Sequence, residues 1–207
     1  MSGSGPFQDK PALAAESLTL SRGERVLVRD LSFAAGPGEY VEVRGGNGSG
    51  KTTLLRALAG FVRPRSGAVR FANVEEPALA LHYLGHANGL KPGATVSAHL
   101  RYWCALLGGG SAAGDISTIA SFGLIKQAEL PARVLSQGQA RRLALSRLDV
   151  AHRPIWLLDE PASGLDADGR AMFAAFVDAH REKGGVVIAA VHEPLGPAPS
   201  QTLTVGA

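Results

Sequence analysis

The feature that most constrains this fold is a glycine-rich loop between a strand-like and a helix-like segment. Residues 45–52 read Gly-Gly-Asn-Gly-Ser-Gly-Lys-Thr, which matches the G-x-x-x-x-G-K-[ST] pattern. Residues 39–44 alternate in polarity as a strand does, and leucines at 54, 55 and 58 give the following segment an apolar helical face. The flanking strand and helix favour a phosphate-binding loop over a chance match in a glycine-rich chain.

The chemistry of this loop predicts a nucleotide site. Glycines allow a tight turn in which several backbone N–H groups face one point, and the helix that begins at about Lys51 adds partial positive charge there. Lys51 can reach the outer phosphates, and the Thr52 hydroxyl can ligate Mg²⁺. The predicted nucleotide-binding residues of the loop are Gly45, Gly46, Asn47, Gly48, Ser49, Gly50, Lys51, Thr52 and Thr53.

Two carboxylates follow a second strand-like segment. Ile155–Leu158 is apolar throughout, as a strand of a parallel sheet buried on both faces would be, and Asp159 and Glu160 come directly after it. At a strand end, Asp159 is placed to hold Mg²⁺ and Glu160 to act as the general base towards an attacking water. An acidic pair that only favours a helix start is the alternative interpretation.

A second phosphate site is predicted at Ser136-Gln137-Gly138-Gln139, which opens a helix carrying Arg141 and Arg142. Ser136, Gly138 and Gln139 would present a helix N-terminus to a phosphate. One chain does not need two such sites for one γ-phosphate, so we expect a head-to-tail dimer in which each copy supplies this end to its partner. A simple helix cap is the alternative.

His192 ends the last apolar strand predicted in the chain. At that position an imidazole can contact the γ-phosphate and orient the base, although a lone histidine is more often structural. Ser163–Asp166 follows Glu160 closely and is predicted to form a loop at the same interface.

Composition predicts one compact domain without disulfides or membrane-spanning segments. The chain has 207 residues, of which 45% are hydrophobic, and a net charge of +3, which is too small to indicate nucleic acid as a partner. Its single cysteine, Cys104, excludes an internal disulfide. No apolar run is long enough to span a bilayer, and the N-terminus lacks the pattern of a secretory signal. We expect residues 1–15 to form a flexible tail.

The remaining pattern alternates strands and helices. Short strands are predicted at residues 18–20, 26–28, 31–33, 68–71, 79–84, 185–191 and 202–205, the last at a sheet edge, and helices at residues 95–107, 115–130, 138–151 and 171–181.

In their order along the chain, these motifs resemble those of the ATPases of ABC transporters, and the resemblance extends from residue 16 to residue 207. The resemblance implies an α/β fold of the P-loop NTPase type, with a RecA-like parallel sheet core, an antiparallel β subdomain near the N-terminus and a short helical subdomain at about residues 87–150. It also implies binding of ATP and Mg²⁺, ATP hydrolysis, a second copy of the chain in a nucleotide-sandwich dimer, and integral membrane transporter subunits as partners.

Three positions depart from the family's pattern. Gln137 stands where the signature usually has glycine, although Gly138 is kept. His86 occupies the place of a glutamine that senses Mg²⁺ and couples to the membrane subunit, so we count it with Glu160 and His192 among the catalytic candidates. No aromatic residue lies near Arg22, where one usually stacks on adenine; adenine then stacks on an arginine or is held loosely.

Within the family, the segments at residues 18–25, 83–86 and 135–142 are similar to the ATP-binding subunit of the bacterial haem exporter of cytochrome c maturation. This similarity implies a peripheral position at the cytoplasmic face of the inner membrane, and it does not imply that this chain binds haem. Another small exporter ATPase with unrelated cargo is the alternative. A DNA-repair ATPase of this class would carry a long heptad insertion, and a translation factor two cassettes; neither is present in the sequence.

Overall fold

The structure of the chain, a computed structural model, describes residues 12–108 and 112–206, without the side chains of residues 112–115. Strands and helices alternate along most of it, as the hydrophobic periodicity predicts. In chain order the elements are β1 (Ala12–Arg22), β2 (Arg25–Ala35), β3 (Tyr40–Arg44), α1 (Lys51–Leu58), β4 (Ser66–Ala72), α2 (Pro77–Ala80), β5 (Leu81–Leu84), α3 (Val96–Leu107), α4 (Ala112–Ser121), α5 (Gln137–Leu145), α6 (Arg147–Val150), β6 (Ile155–Asp159), α7 (Ala167–Glu182), β7 (Val186–Ala190) and β8 (Gln201–Thr204).

A five-stranded parallel sheet forms the centre of the fold, in the order β5-β6-β7-β3-β8. Every residue of the inner strands β6 and β7 is buried, because helices and the second sheet cover both faces. β8 lies at the edge beside β3, as predicted for residues 202–205. This arrangement confirms the predicted P-loop NTPase core. It also brings the carboxyl ends of β3, β6 and β7 to one edge of the sheet.

The N-terminal strands form a separate antiparallel sheet in the order β2-β1-β4, which confirms the predicted β subdomain. Three short strands were predicted here, but the structure has two strands of 11 residues each, interrupted by register shifts. Ser17 and Asp30 take positive φ at these irregularities, which breaks the polarity pattern of each long strand. β1 begins at Ala12 and buries Leu13 and Ala15, so the prediction of a tail reaching residue 15 is wrong for residues 12–15, and residues 1–11 lie outside the described part.

Helices α3 to α6 occupy residues 96–150, most of the segment predicted as a helical subdomain. Three boundaries differ from prediction. The helix predicted at residues 138–151 is two helices, since the backbone breaks at Ser146, whose hydroxyl bonds to the Leu143 carbonyl. The strand predicted from residue 79 starts at Leu81, after the helical turn α2. The helix predicted over residues 115–130 is α4, which ends before Gly123 (φ 67°).

One strand of the sheet buries a carboxylate that sequence polarity places on a half-exposed face. β3 was predicted from its alternating polarity, yet Tyr40 to Val43 are all buried because both faces of β3 are covered, Tyr40 packing in one core cluster and Val41 and Val43 in the other. Glu42 is tolerated there because the Tyr40 hydroxyl and the Arg44 guanidinium both donate to its carboxylate. The pKa of Tyr40 is raised by burial and by this carboxylate. The network anchors the strand that leads into the glycine-rich loop.

Two buried histidines make stability depend on pH. The His82 imidazole lies 2.7 Å from the Ala151 carbonyl, and the His180 ring stacks on Trp156 at 3.6 Å and contacts the Pro154 carbonyl. Burial lowers the pKa of each to about 4, from an ordinary value of 6.5. Between these values the unfolded chain binds protons that the folded chain does not. The free energy of unfolding therefore falls as the pH decreases from about 6.5 to about 4.

We expect chemical denaturation at pH 5 to show a loss of about 2 kcal/mol per histidine relative to pH 7.5. His82→Gln retains a donor towards the Ala151 carbonyl but does not titrate, so it should remove about half of this dependence. His152→Gln removes an exposed neighbour whose charge contributes to both shifts far less directly than burial does, so most of the dependence should remain. Equal pH dependence in the parent chain and in His82→Gln would contradict the assignment.

Candidate functional site

The glycine-rich loop connects β3 to α1 at the carboxyl edge of the parallel sheet. Gly45 and Gly50 have φ of 152° and 108°, values that other residues rarely adopt. A side chain at Gly45 would overlap the Val205 carbonyl oxygen, and one at Gly50 would come within 3.0 Å of Leu27. The loop is therefore held tightly between α1, β2 and the end of β8.

Lys51 and Thr52 begin α1 and reach two different parts of the site. The buried Lys51 ammonium folds back over the loop and donates to the carbonyls of Gly45 and Gly46 at 2.7 and 3.1 Å. An ammonium has three N–H groups, so one is left for a ligand. The Thr52 hydroxyl donates to the Asp159 carboxylate at 2.8 Å, which joins the start of α1 to the end of β6.

The structure brings the three predicted catalytic residues together. The His192 Nε2 lies 2.9 Å from Glu160 Oε1, and the His86 Nδ1 lies 3.3 Å from Glu160 Oε2. Both ring nitrogens therefore lie within ion-pair distance of the carboxylate, which can only accept from them when it is ionised. Each carboxylate oxygen has more than one lone pair, and Glu160 retains the capacity to accept a further proton.

The backbone of Glu160 is held in an uncommon conformation. Its φ is 49°, in the left-handed region, which a residue other than glycine occupies at a cost of about 1–3 kcal/mol. The Glu160 N–H donates to the Ala190 carbonyl on β7 at 2.9 Å. The turn directs the side chain away from the line of β6 and towards the two histidines.

A cavity of about 710 Å³ opens beside the loop. Residues 46–53 line it, together with Glu160 and a group of residues from β1, β2, α1 and the segment after α1: Ser21, Arg22, Arg25, Leu27, Arg56 and Val62. Among these described lining residues, Glu160 is the one carboxylate against four cations, and no described residue forms an ion pair with Arg22, Arg25 or Arg56. The charge of the cavity is therefore complementary to a polyanion.

The predicted second phosphate site does not line this cavity. Ser136 is exposed and caps α5, with its hydroxyl accepting from the Gln139 N–H and the Gln139 side chain accepting from the Ser136 N–H. Gly138 packs against Gly164, where an added side chain would come within 3.0 Å of the Gly164 carbonyl. The start of α5 thus lies against the loop at residues 163–166 and separate from the chain's own nucleotide cavity.

Arg141 also lies against this site, and no role for it was predicted from the sequence. It is almost fully buried, and its guanidinium donates to backbone carbonyls on both sides of Glu160 and in the His86 segment. Burial lowers its pKa to about 10, so it is charged at neutral pH. The sequence does carry an indication that Arg141 is buried, since it lies on the same face of α5 as Ala144 and Leu145, at helical spacing.

Comparison with known proteins identifies the family. The sequence profile of the ABC transporter family matches residues 28–163. The cytochrome c biogenesis ATP-binding export protein CcmA of Rhizobium meliloti is 46% identical over 198 residues, which cover 92% of this chain and 96% of that protein. The protein of the same name from Maricaulis maris is 44% identical over 209 residues, with 97% of each chain covered.

Solved structures agree on the fold. A bacterial Atm1-family ABC exporter with ATP bound superposes with a TM-score of 0.82 at 20% identity, covering 96% of this chain and 38% of that chain. The ATP binding subunit of an ABC transporter superposes with a TM-score of 0.77 at 21% identity, covering 87% of this chain and 79% of that one. With the family profile covering both the loop and Glu160, the chain belongs to the ABC transporter family and is one of its ATP-hydrolysing, ATP-binding subunits.

Proposed function

We propose that this chain hydrolyses ATP to drive a membrane partner that exports or delivers haem during the biogenesis of c-type cytochromes. The observation that carries the proposal is the 44–46% identity to cytochrome c biogenesis export proteins, over nearly the whole of both chains. No helix in residues 12–108 and 112–206 has both the length and the apolar character to cross a membrane. From the similarity to these export proteins, we place the chain peripherally at the cytoplasmic face of the bacterial inner membrane, bound to integral subunits.

ATP binds in the 710 Å³ cavity, with its phosphates in the glycine-rich loop. The loop N–H groups and the α1 N-terminus neutralise the phosphate charge, and Lys51 contributes its remaining N–H. The excess of cationic side chains in the cavity and the close packing around Gly45 and Gly50 support this placement of ATP. Catalysis of phosphoryl transfer depends mainly on such positioning and charge neutralisation.

The residues present fit Mg²⁺. The ion prefers oxygen ligands, commonly one or two carboxylates together with substrate phosphates and water. Thr52 and Asp159 supply a hydroxyl and a carboxylate oxygen 2.8 Å apart at the end of the loop, so these two residues would hold it. When bound, Mg²⁺ neutralises developing charge on the β- and γ-phosphates.

Glu160 acts as the general base. It accepts a proton from water as the water oxygen forms a bond to the γ-phosphorus and the bond to the β–γ bridging oxygen breaks, leaving ADP and phosphate. His192 and His86 hold the two carboxylate oxygens and fix their direction. His86 thus replaces the family's usual glutamine with a side chain that touches the base directly.

The adenine base lies against the arginines at the β1–β2 turn. Arg22 and Arg25 line the cavity with Leu27 and Val62, and a guanidinium can stack on a purine without reading its hydrogen-bonding edge. We expect the double substitution Arg22→Ala/Arg25→Ala to weaken ATP binding by about 3- to 30-fold. ATP and GTP should bind the parent chain with similar affinity.

Titration calorimetry with ATP and GTP measures both effects. Arg29→Ala, an exposed arginine on β2 outside the cavity, is the matched control and should bind as the parent does. Parental affinity in the double variant, or strong preference for ATP over GTP, would show that the base is held elsewhere.

The biological role is tested by deleting the gene and restoring it in trans. Deletion should abolish covalent haem attachment to c-type cytochromes and leave b-type cytochromes intact. Restoration with the parent sequence should recover the c-type proteins, and restoration with Glu160→Gln should not. Normal c-type cytochromes in the deletion strain would refute the role in haem export and favour a small exporter ATPase with unrelated cargo.

A further inference from the structure

We propose that Arg141 is a positioning residue for hydrolysis, which holds the backbone of Glu160 and the loop of His86 in one fixed arrangement and ties both to helix α5. The proposal rests on the proposed role of Glu160 as the base. Arg141 lies on α5, five residues after Ser136, and its side chain crosses to the carboxyl edge of the sheet. Among the residues that the structure describes, its hydrogen-bond partners fall in two segments, residues 85–88 and 159–161.

The first segment is the turn that carries the base. Arg141 Nη2 donates to the carbonyls of Asp159 and Glu160 at 3.0 and 2.8 Å, and Nε donates to the Pro161 carbonyl at 2.9 Å. The Glu160 N–H is bonded on its other side to Ala190. Both backbone groups of Glu160 are therefore fixed, which accounts for its persistence in the left-handed region.

The second segment is the loop that carries His86. Arg141 Nη1 donates to the Gly85 carbonyl at 3.2 Å and to the Asn88 amide oxygen at 3.0 Å. The His86 carbonyl lies further away, at 3.4 Å. His86 is itself largely exposed, so these contacts are the ones that bring its ring to Glu160.

The donors of the Arg141 side chain match its two targets. No carboxylate among the described residues forms an ion pair with Arg141, and burying a charge without one is unfavourable unless all its donors are satisfied. Only the planar fork of a guanidinium has enough donors to reach both segments at once. An ammonium on the same helix, with three donors on one nitrogen, cannot.

The position of Arg141 on α5 connects the N-terminus of that helix to Glu160 and His86. The first turn of α5 packs on Gly164 through Gln137 and Gly138, and Arg141 lies on the next turn of the same rigid helix. A displacement of the α5 N-terminus is therefore transmitted to Glu160 and His86 without an intervening loop. The base is aligned when that helix end is in place.

The test compares Arg141→Lys, Arg141→Ala and Asn88→Ala with a matched control in the full chain. Arg147→Lys is the control, because Arg147 is a half-buried arginine of the same helical region that contacts the Ala144 carbonyl and the Trp103 ring instead. For each variant, kcat for ATP hydrolysis and the dissociation constant for ATP are measured separately, with thermal unfolding as a check of the fold.

Arg141→Lys should lower kcat by about 10- to 100-fold, as expected for a misplaced base, and change ATP affinity less than about threefold. Free guanidinium, below the concentration that unfolds the protein, should restore part of the kcat of Arg141→Ala and none of that of Lys51→Ala. Asn88→Ala removes the half-buried amide oxygen that accepts from Arg141, and it should lower kcat by a few-fold. Its effect should be non-additive with that of Arg141→Lys. This last variant keeps the test decisive if Arg141→Ala does not fold.

Parental kcat in both Arg141→Lys and Asn88→Ala, or equal losses of kcat and ATP affinity without guanidinium rescue, would overturn the proposal. Failure of the proposed function would be distinguishable, since Glu160→Gln would then also hydrolyse ATP at the parental rate.

Discussion

Substituting Glu160 by glutamine is expected to reduce the rate of ATP hydrolysis by about 10²–10⁴-fold while ATP still binds. Glutamine keeps the shape of the side chain but cannot take a proton from water. It also presents an amide N–H₂ to one of the two imidazoles, whose nitrogens lie 2.9 and 3.3 Å from the carboxylate oxygens. One of these contacts must then be lost, or that imidazole must change tautomer. The ATP-bound dimer should accumulate as a result.

Steady-state phosphate release and sedimentation with ATP measure the two effects. Glu182→Gln makes the same chemical change at an exposed position at the end of α7 and should behave as the parent chain. Near-normal turnover by Glu160→Gln would remove Glu160 as the base and would direct attention to another group at the carboxyl edge of the sheet.

The second large effect is expected from Ser136→Arg. The α5 N-terminus is exposed and does not line the nucleotide cavity of its own chain, so a bulky cation there should leave ATP binding to the monomer intact. If this helix end meets the partner's phosphates, the substitution should abolish ATP-dependent dimerisation. Loss of the helix cap alone costs only about 1 kcal/mol.

Thr95→Arg controls for the lost cap. Thr95 caps α3 by accepting from the Ala98 N–H at 3.1 Å, so its substitution removes an equivalent bond from a different helix. Equilibrium ATP titration and light scattering should find both variants competent for binding and only Thr95→Arg competent for dimerisation. Weakened ATP binding by the Ser136→Arg monomer would instead indicate that this helix end acts within its own chain.

The parts of the site that sequence predicts well are those set by local pattern and sheet topology. The loop at residues 45–52 carries its own signal, and apolar strands that end at Asp159 and near His192 must bring these residues to one edge, because parallel strands share a direction. His86 was located by its place after β5, and the structure puts it in contact with Glu160. The roles assigned to these residues stay predictions.

The parts that sequence misses depend on partners distant in the chain. Arg141 is polar by type but buried, because acceptors from residues 85–88 and 159–161 converge on it. Glu42 is buried for a similar reason, because Tyr40 and Arg44 donate to it in a strand that is covered on both faces. The irregular strands β1 and β2 look like several short strands because their register shifts interrupt the period of two.

The central claim, that one hydrolysing site is assembled from two copies of the chain, is tested most directly by mixing Ser136→Arg with Lys51→Ala. Each variant alone lacks any intact site, whereas a mixed dimer joins the intact loop of one copy to the intact α5 end of the other. The Ser136→Arg chain should not pair with itself, so the dimers that form around its bound ATP are mixed and have one intact site in two. An equal mixture should therefore regain up to about half of the parent rate. A mixture that hydrolyses ATP no faster than either variant alone would contradict the account.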